Sequence, residues 1–372
     1  MSETTRARQV FFFPYVFGLV HLLVDAATIS TIDTSYIAHE LPPYWAFYYV
    51  VAYDLLAFAS QPLLGFLVDR TRFFRGAILA GLGAVLAGVL LKSVEPLSTL
   101  VLAGVGNALF HLGAGAFALH VEPGRATPPG IFVGPGAIGV VLAKFLVKSD
   151  LVYLWPFVLA LAAAFVVSWI YRYPEIPRTE KPKMLDVNRP VVALLLLLFS
   201  VFVRSFVGMA GGYQCPKATA IAFGFGFAGF AGKALGGVLS DRLGWIKVGV
   251  ATLLISAPLI AFGGSNYVLV TIGVFLVQMT MPVTLVALFA LLPGRPAFAF
   301  GLSCLAYIAG AIPTFYHQVR AFYGPFAFLA LMLLSAITLY AGLRMLREKV
   351  PMRFPSYNSQ PPAARPFGGE RN

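Results

Sequence analysis

The feature that most constrains this 372-residue chain is a short basic segment that occurs twice, each time between two long apolar runs. The first copy reads GFLVDRTRFFR at residues 65–75, and the second reads GVLSDRLGWIK at residues 237–247. Their aspartates, Asp69 and Asp241, lie 172 positions apart, which is close to half of the chain. A repeat of this period between apolar segments predicts two halves of similar architecture with an interface between them.

Each copy combines small residues, an acid and flanking bases in the manner of an electrostatic latch. Glycines allow two membrane helices to pack closely. The acid can bind a neighbouring helix N-terminus or a nearby base, and the bases favour cytoplasmic water. The predicted latch residues are Gly65, Asp69, Arg70, Arg75, Gly237, Asp241, Arg242 and Lys247.

The composition places the chain in a lipid bilayer. Hydrophobic residues make up 59% of the sequence and charged residues 11%, whereas soluble domains are about 45–50% apolar and about 25% charged. A crossing needs about 20 apolar residues. The sequence predicts twelve spans, at residues 10–32, 44–68, 76–92, 97–121, 128–147, 151–171, 190–208, 217–240, 247–263, 267–292, 297–317 and 322–346.

The connections divide these spans into two groups of six. Residues 172–189 are rich in proline and charge and have no apolar period, so they are predicted to be a cytoplasmic linker. The linker separates an N-terminal six-helix bundle at 1–171 from a C-terminal bundle at 190–349. Residues 350–372 are predicted to be a disordered cytoplasmic tail.

The distribution of bases orients the chain and argues against nucleic acid as a partner. With an even number of spans, 20 of the 27 Lys and Arg residues fall on the side of the termini. Cytoplasmic segments carry such an excess, so both termini are predicted to be cytoplasmic and the protein is expected in the cell membrane. The net charge of +12 forms no basic face or recognition motif. We expect a monomer whose partners are the lipid bilayer and a small-molecule or ion substrate.

Ionisable side chains inside the spans are the candidate functional residues, because each costs at least about 2.5–3.5 kcal/mol near the bilayer centre. They are His21, Asp25, Asp54, His111, Arg204 and Lys233. Four of them, the two histidines and two aspartates, can exchange protons, whereas Arg204 keeps its charge and suits an anionic substrate or a permanent counter-ion. Alternatively, an acid neutralises Arg204 or Lys233 and only holds helices together. Further hydrogen bonds could come from Tyr53, Asn107, Tyr213, Gln278, Tyr307 and His317.

The repeated segment resembles the loop between the second and third helices of the major facilitator superfamily, with its echo between helices eight and nine. The first copy departs from the family by carrying Arg72 where glycine is usual, and the second keeps Gly244. Span five carries Gly130, Gly134 and Pro135, which resemble the glycine-proline motif of the superfamily's proton antiporters and predict a bend. The pair Phe110-His111 resembles the fosmidomycin-resistance branch of efflux pumps.

This resemblance implies an all-α membrane protein of twelve transmembrane helices in two pseudo-symmetric six-helix bundles. It also implies a proton-coupled secondary transporter that exports a small organic compound by rocker-switch alternating access, with the latches closing the cytoplasmic side in the outward-open state. The energy source would be the proton gradient, without a cofactor. The arginine that antiporters often carry early in span four is replaced by Leu100.

Two alternatives remain, one within transport and one from a different class. The first is an importer or exporter of an inorganic ion, either a divalent metal or an anion. A divalent metal could bind at His21, Asp25, Asp54 and His111, which offer nitrogen and oxygen ligands. A membrane-embedded enzyme is suggested only by the His-x-x-x-Asp spacing, since no nucleophile elbow, zinc-protease motif or phosphate loop accompanies it. An enzyme would also give no reason for the repeat, so we predict that the protein is not one.

Overall fold

The structure is a computed structural model that describes residues 3–40, 42–176, 190–212, 218–316, 318–319 and 323–347. Every regular element among these residues is a helix. In the first half they are α1 (Glu3–Ala38), α2 (Pro43–Asp54), a π-helical turn (Leu55–Ala59), α3 (Gln61–Thr71), α4 (Phe74–Leu91), α5 (Pro96–Val121), α6 (Thr127–Val133), α7 (Gly136–Lys148) and α8 (Leu154–Ile170).

The second half is also built of long helices and helix pairs, although the pairs do not all fall at the corresponding spans. Its elements are α9 (Pro190–Gly212), α10 (Thr219–Leu243), α11 (Trp245–Ala261), α12 (Tyr267–Gln278), α13 (Met281–Leu291), α14 (Pro296–Ala311), a 3-10 turn (Ile312–Phe315) and α15 (Pro325–Arg347). Most of the predicted linker, residues 177–189, and the predicted tail, 350–372, lie outside the described residues.

Helical segments occupy all twelve of the predicted spans. Ten are long and apolar enough to cross a membrane. Two shorter apolar helices, Leu154–Ile170 and Trp245–Ala261, lie at the sixth and ninth predicted spans. The all-helical membrane architecture is therefore confirmed, while the count of twelve crossings and the cytoplasmic termini stay predictions.

Helix starts follow local chemistry. Pro43, Pro96 and Pro296 each stand in the first turn of a helix, where the missing N–H has no intrahelical partner to lose. Glu95 caps α5 by accepting hydrogen bonds from the backbone N–H groups of Ser98 and Leu97. Because the bonds from Ser98 and Leu97 favour the ionised carboxylate, they hold the pKa of Glu95 below its usual value.

The first latch segment joins the two halves through a carboxylate at a helix N-terminus. Asp69, near the end of α3, accepts hydrogen bonds from the backbone N–H groups of Ala297 (3.0 Å) and Phe298 (2.8 Å) in the first turn of α14. Gly65 lies one turn earlier, and a Cβ there would come within 2.6 Å of the Ala297 carbonyl oxygen. The glycine is needed because α14 packs directly against the backbone of α3.

The second latch segment makes the same contact in the opposite direction. Asp241, near the end of α10, accepts from the backbone N–H groups of Ala126 (2.7 Å) and Thr127 (2.9 Å) at the start of α6. A Cβ at Gly237 would come within 2.5 Å of the Ala126 carbonyl oxygen. Arg125 adds a contact of 3.6 Å to the Asp241 carboxylate. Each half therefore caps a helix of the other half.

Two further glycines also bring the backbones of the two halves into close contact. A Cβ at Gly130 in α6 would lie 2.6 Å from the Lys233 carbonyl oxygen, and one at Gly301 in α14 would lie 2.6 Å from the Gln61 carbonyl oxygen. Gly134 also faces α10, since its Cβ would lie 3.1 Å from a backbone oxygen there. The two crossings α6–α10 and α3–α14 thus use backbone-to-backbone packing at related positions.

The bases of the latch segments do not bind the aspartates of their own segments. Arg70, Arg242 and Lys247 are exposed. Arg75 donates to the Trp169 carbonyl oxygen (2.6 Å) and lies over the Trp169 ring, so it ties the segment to α8. We call this end of the bundle, defined by Asp69, Asp241 and these bases, the basic end.

Gly65→Ala is expected to open the basic end. The added methyl would meet the backbone of α14 only while the halves are in contact, so it destabilises this arrangement and not one in which they separate. Spin labels at Thr71→Cys and Leu243→Cys, both exposed at this end, report the separation by pulsed electron paramagnetic resonance. The distance distribution should gain a longer component.

The matched control for this experiment is Gly224→Ala in α10, where a Cβ would meet nothing within 4 Å. The native cysteines, Cys215 and Cys304, are replaced by serine in every sample. An unchanged distribution in Gly65→Ala, or the same change in Gly224→Ala, would contradict the role given to the α3–α14 contact.

Candidate functional site

Two histidines from different helices meet in the interior of the first half. The Nε2 atoms of His21 in α1 and His111 in α5 are 2.7 Å apart. The Nδ1 atom of His21 lies 3.0 Å from the Phe132 carbonyl oxygen, and that of His111 lies 2.9 Å from the Asn107 carbonyl oxygen. A carbonyl oxygen only accepts hydrogen bonds, so both Nδ1 atoms carry a hydrogen.

This assignment decides what can lie between the two rings. A neutral imidazole with hydrogen on Nδ1 has a lone pair on Nε2, and two such lone pairs at 2.7 Å repel each other. One proton between them turns the contact into a charge-assisted hydrogen bond. Asp25 balances the charge, with carboxylate oxygens 3.1 Å from His21 Nε2 and 3.8 Å from His111 Nε2. His21, Asp25 and His111 thus form a triad that holds one proton and is formally neutral.

A polar network fixes the carboxylate of the triad. Asn107 Nδ2 lies 3.2 Å from Asp25 Oδ1, 3.3 Å from Thr28 Oγ1 and 3.2 Å from the Tyr53 hydroxyl. Tyr53 donates to Thr28 (2.9 Å), which in turn donates to the Val24 carbonyl oxygen (2.9 Å). Asn107 and Thr28 have no exposed surface. The network therefore holds Asp25 in a fixed position away from lipid.

The glycine-proline segment of span five shapes the same site. Pro135 lies between α6 and α7 and has no N–H, so the helical ladder is interrupted there. The Phe132 carbonyl oxygen, next to this interruption, accepts the hydrogen bond from His21. A Cβ at Gly136 would come within 2.6 Å of Asp25 Oδ2 and still closer to His21 Nε2. The bend and the glycine therefore make room for the triad.

Arg204 lies in α9 of the second half and is buried, with 6% of its surface exposed. Its guanidinium donates to the Ser200 carbonyl oxygen (3.0 Å), to the Thr284 hydroxyl (2.8 Å) and to the Thr280 hydroxyl. No carboxylate among the described residues lies within 4 Å of it. Neutral oxygens orient this cation without neutralising its charge.

Two adjoining cavities bring the triad and Arg204 together between the halves. The inner cavity, of about 290 Å³, is lined by the triad, Arg204 and Lys233. The outer cavity, of about 740 Å³, reaches the exposed Lys144 and Lys148 at the end of α7 opposite the basic end. Arg204 lines both. The residues that the two cavities share are Val141, Arg204, Ser205, Phe225, Gln278 and Tyr307.

The structure places the sequence-predicted residues in different parts of the molecule. His21, Asp25, His111, Arg204 and Lys233 line the inner cavity, and Gln278 and Tyr307 line both cavities. Asp54 ends α2 apart from these groups, where it interacts with Lys144 and Asp33, which pair at 2.6 Å. Tyr213 and His317 lie outside the described residues.

Three threonines of the site were not singled out by sequence reasoning. Thr28 completes the network around Asp25, while Thr280 and Thr284 hold Arg204. A threonine in a membrane helix usually bonds a backbone carbonyl one turn earlier, as Thr28 and Thr284 also do. Only the four-residue spacing of Thr280 and Thr284 signals one shared helix face, and nothing in the sequence links that face to Arg204.

Comparison with solved structures identifies the fold. No protein-family profile and no curated protein matches the sequence. A variant of the fucose:proton symporter FucP of E. coli has a similar structure, with a TM-score of 0.69 and 15% sequence identity over 91% of this chain and 99% of that chain. The chain has the major facilitator fold.

A second solved structure agrees with that assignment. It is a bacterial homologue of the iron transporter ferroportin in an outward-facing state, with a TM-score of 0.57 and 14% identity, covering 90% of this chain and 98% of that chain. Because both matches span nearly the whole chain, the major facilitator fold includes both halves. The narrower resemblance to the fosmidomycin-resistance branch stays a prediction.

Asn107→Leu is expected to lower the stability of the purified protein by about 1–3 kcal/mol, because it removes the buried amide that donates to Asp25 Oδ1 and to the Tyr53 hydroxyl oxygen. Reversible unfolding in mixed detergent measures the change. Ser30→Ala on α1 is the matched control, since the Ser30 hydroxyl is buried and has no hydrogen-bond partner among the described residues. Equal losses in both variants would contradict the network described here.

Proposed function

We propose that this protein is a proton-coupled secondary transporter that exports a small organic compound, and that the His21–Asp25–His111 triad binds the coupled proton. The observation that carries the proposal is the Nε2–Nε2 distance of 2.7 Å between two histidines whose Nδ1 atoms are both engaged. The triad lines a cavity between the halves, so its proton can exchange with a compartment and with cargo. The major facilitator fold supports transport rather than catalysis.

The contacts of the two halves support alternating access. At the basic end, two carboxylates cap helices of the opposite half, and glycines keep the backbones in contact. At the other end, the outer cavity reaches exposed Lys144 and Lys148. The excess of bases assigns the basic end to the cytoplasm. The structure then corresponds to a state closed to the cytoplasm, which accepts a proton from the outside.

The proposed cycle exchanges this proton for cargo. In the outward-facing state a proton from outside binds between His21 and His111, and its charge is balanced by Asp25. Breaking the two carboxylate caps opens the basic end, where the proton leaves to the cytoplasm and cargo enters. Return of the loaded protein releases cargo outside. One proton moves inward for each cargo molecule that moves outward, so the proton gradient drives export without another cofactor.

A divalent metal ion is the second candidate cargo, since ligand atoms of His21, Asp25 and His111 all lie within 4.8 Å of one another. Zinc–nitrogen bonds of about 2.0–2.1 Å in tetrahedral geometry would hold two imidazole nitrogens about 3.3 Å apart, which exceeds the observed 2.7 Å. Asp54, the fourth ligand in the sequence-based hypothesis, does not line this cavity, whereas Arg204 and Lys233 do and would repel a dication. A proton fits this triad better.

Asp25→Asn is expected to reduce solute-driven proton movement at least about tenfold, because an amide cannot balance the charge of a protonated histidine pair. The assay uses proteoliposomes loaded with the pH dye pyranine, to which organic acids, amines and neutral solutes are added in turn. Asp54→Asn is the comparison, and it should keep proton movement within about twofold.

Unchanged proton movement in Asp25→Asn would contradict the role of the triad. The same vesicles, loaded with a metal-sensitive dye instead, test the second candidate with Mn²⁺, Fe²⁺ and Zn²⁺. Metal entry that is lost in His111→Ala would make the metal ion the cargo and overturn the proton assignment.

A further inference from the structure

We propose that the cargo is an organic anion with an apolar body, and that its charged group binds between Arg204 and Lys233. The inference rests on the proposed transport function, whose cargo it specifies. Both cations belong to the second half and line the inner cavity, opposite the triad of the first half.

The charge balance of the cavities favours an anion. Among the described residues that line either cavity, Asp25 is the only carboxylate, and it lies 3.1 Å from His21 within a formally neutral triad. No ion pair within 4 Å forms between Lys233 and a described acid. The permanent charge of Arg204 is therefore left without a counter-ion, and protonated Lys233 adds a second positive charge. A cationic cargo would be repelled, and a neutral one would leave both charges uncompensated.

Arg204 has N–H groups that are not engaged by Ser200, Thr280 or Thr284 and that can bind a planar or tetrahedral anionic group. A guanidinium has five N–H groups in a fixed fork. Three of them are engaged, one each by Ser200, Thr280 and Thr284, and these contacts use Nε, Nη1 and Nη2 once each. One N–H on each terminal nitrogen remains. These two N–H groups can donate to the oxygens of a carboxylate or phosphonate.

The outer cavity predicts the rest of the molecule. It continues from Arg204 along aromatic and aliphatic side chains, among them Phe145, Phe223, Phe225 and Met209. Its volume of about 740 Å³ is in the range of about 300–1,000 Å³ of small-molecule sites. An aryl or alkyl body of several carbon atoms would lie against these residues while its anionic end reaches Arg204 and Lys233.

Three probes with one body separate the possible charges of the cargo: 4-phenylbutyrate, 4-phenylbutylamine and 4-phenylbutanol. Thermal unfolding and calorimetric titration of the purified full-length chain measure their binding. We expect the butyrate to bind and raise the melting temperature, and the amine and alcohol to do neither at the same millimolar concentration. Equal stabilisation by the amine, or no binding of the butyrate, would overturn the proposal.

Substitutions then locate the binding site. Arg204→Gln and Lys233→Gln should each weaken butyrate binding about ten- to a hundredfold, the loss expected for charge-assisted hydrogen bonds. Arg204→Lys keeps the charge without the fork and should restore part of the affinity, which separates a binding role from a folding defect. Arg344→Gln removes an exposed base of α15 and should leave the affinity unchanged. An unchanged affinity in Arg204→Gln would also overturn the proposal.

The two proposals fail in different ways. If the amine and not the butyrate moves protons in the proteoliposome assay, the result supports proton-coupled transport and contradicts the anion site. If the butyrate binds through Arg204 but no solute moves protons, the result supports the anion site and contradicts proton coupling.

Discussion

When two imidazole rings both donate their Nδ1 hydrogens to backbone carbonyls, each Nε2 carries a lone pair. Their Nε2 atoms can then lie in contact only if a cation lies between them. This constraint, set by His21 and His111, organises the first half of the protein. It draws together α1, which carries His21 and Asp25, and α5, which carries His111 and Asn107. It also depends on the interruption of span five at Pro135, because the Phe132 carbonyl beside it orients one of the rings.

The second half supplies what the first lacks, namely permanent positive charge. Arg204 and Lys233 face the triad across the inner cavity, and neutral oxygens hold the guanidinium. Protonation of the triad therefore changes the net charge of the cavity that Arg204 and Lys233 line.

The halves can separate because water can replace the polar interactions that join them at the basic end. Asp69 and Asp241 each bind two backbone N–H groups of the opposite half, and charge-assisted bonds of this kind contribute about 1.5–3 kcal/mol each. Such bonds can be replaced by water when the end opens. The glycines beside them let the backbones approach and add no side chains that would interlock.

The sequence predicted the parts of this structure that follow from local pattern. The apolar runs predicted the helices, and the repeat predicted an interface between two related halves. The latch acids bind helix N-termini, which is one of the two kinds of partner predicted for them. The four-residue spacing of His21 and Asp25 placed them on one face. The sequence could not show that His111, 90 positions away, meets His21, or that Asp54 does not, because such convergence depends on helix packing. Nor could it assign the histidine tautomers, which depend on two particular carbonyl groups.

Nitrogen-15 nuclear magnetic resonance of histidine-labelled protein in bilayers measures directly whether the histidine pair shares one proton. At neutral pH we expect both Nδ1 atoms to be protonated and one proton to couple to the Nε2 atoms of both His21 and His111. That coupling should be absent in His111→Gln. Two unprotonated Nε2 atoms at neutral pH in the unmodified protein would contradict the account.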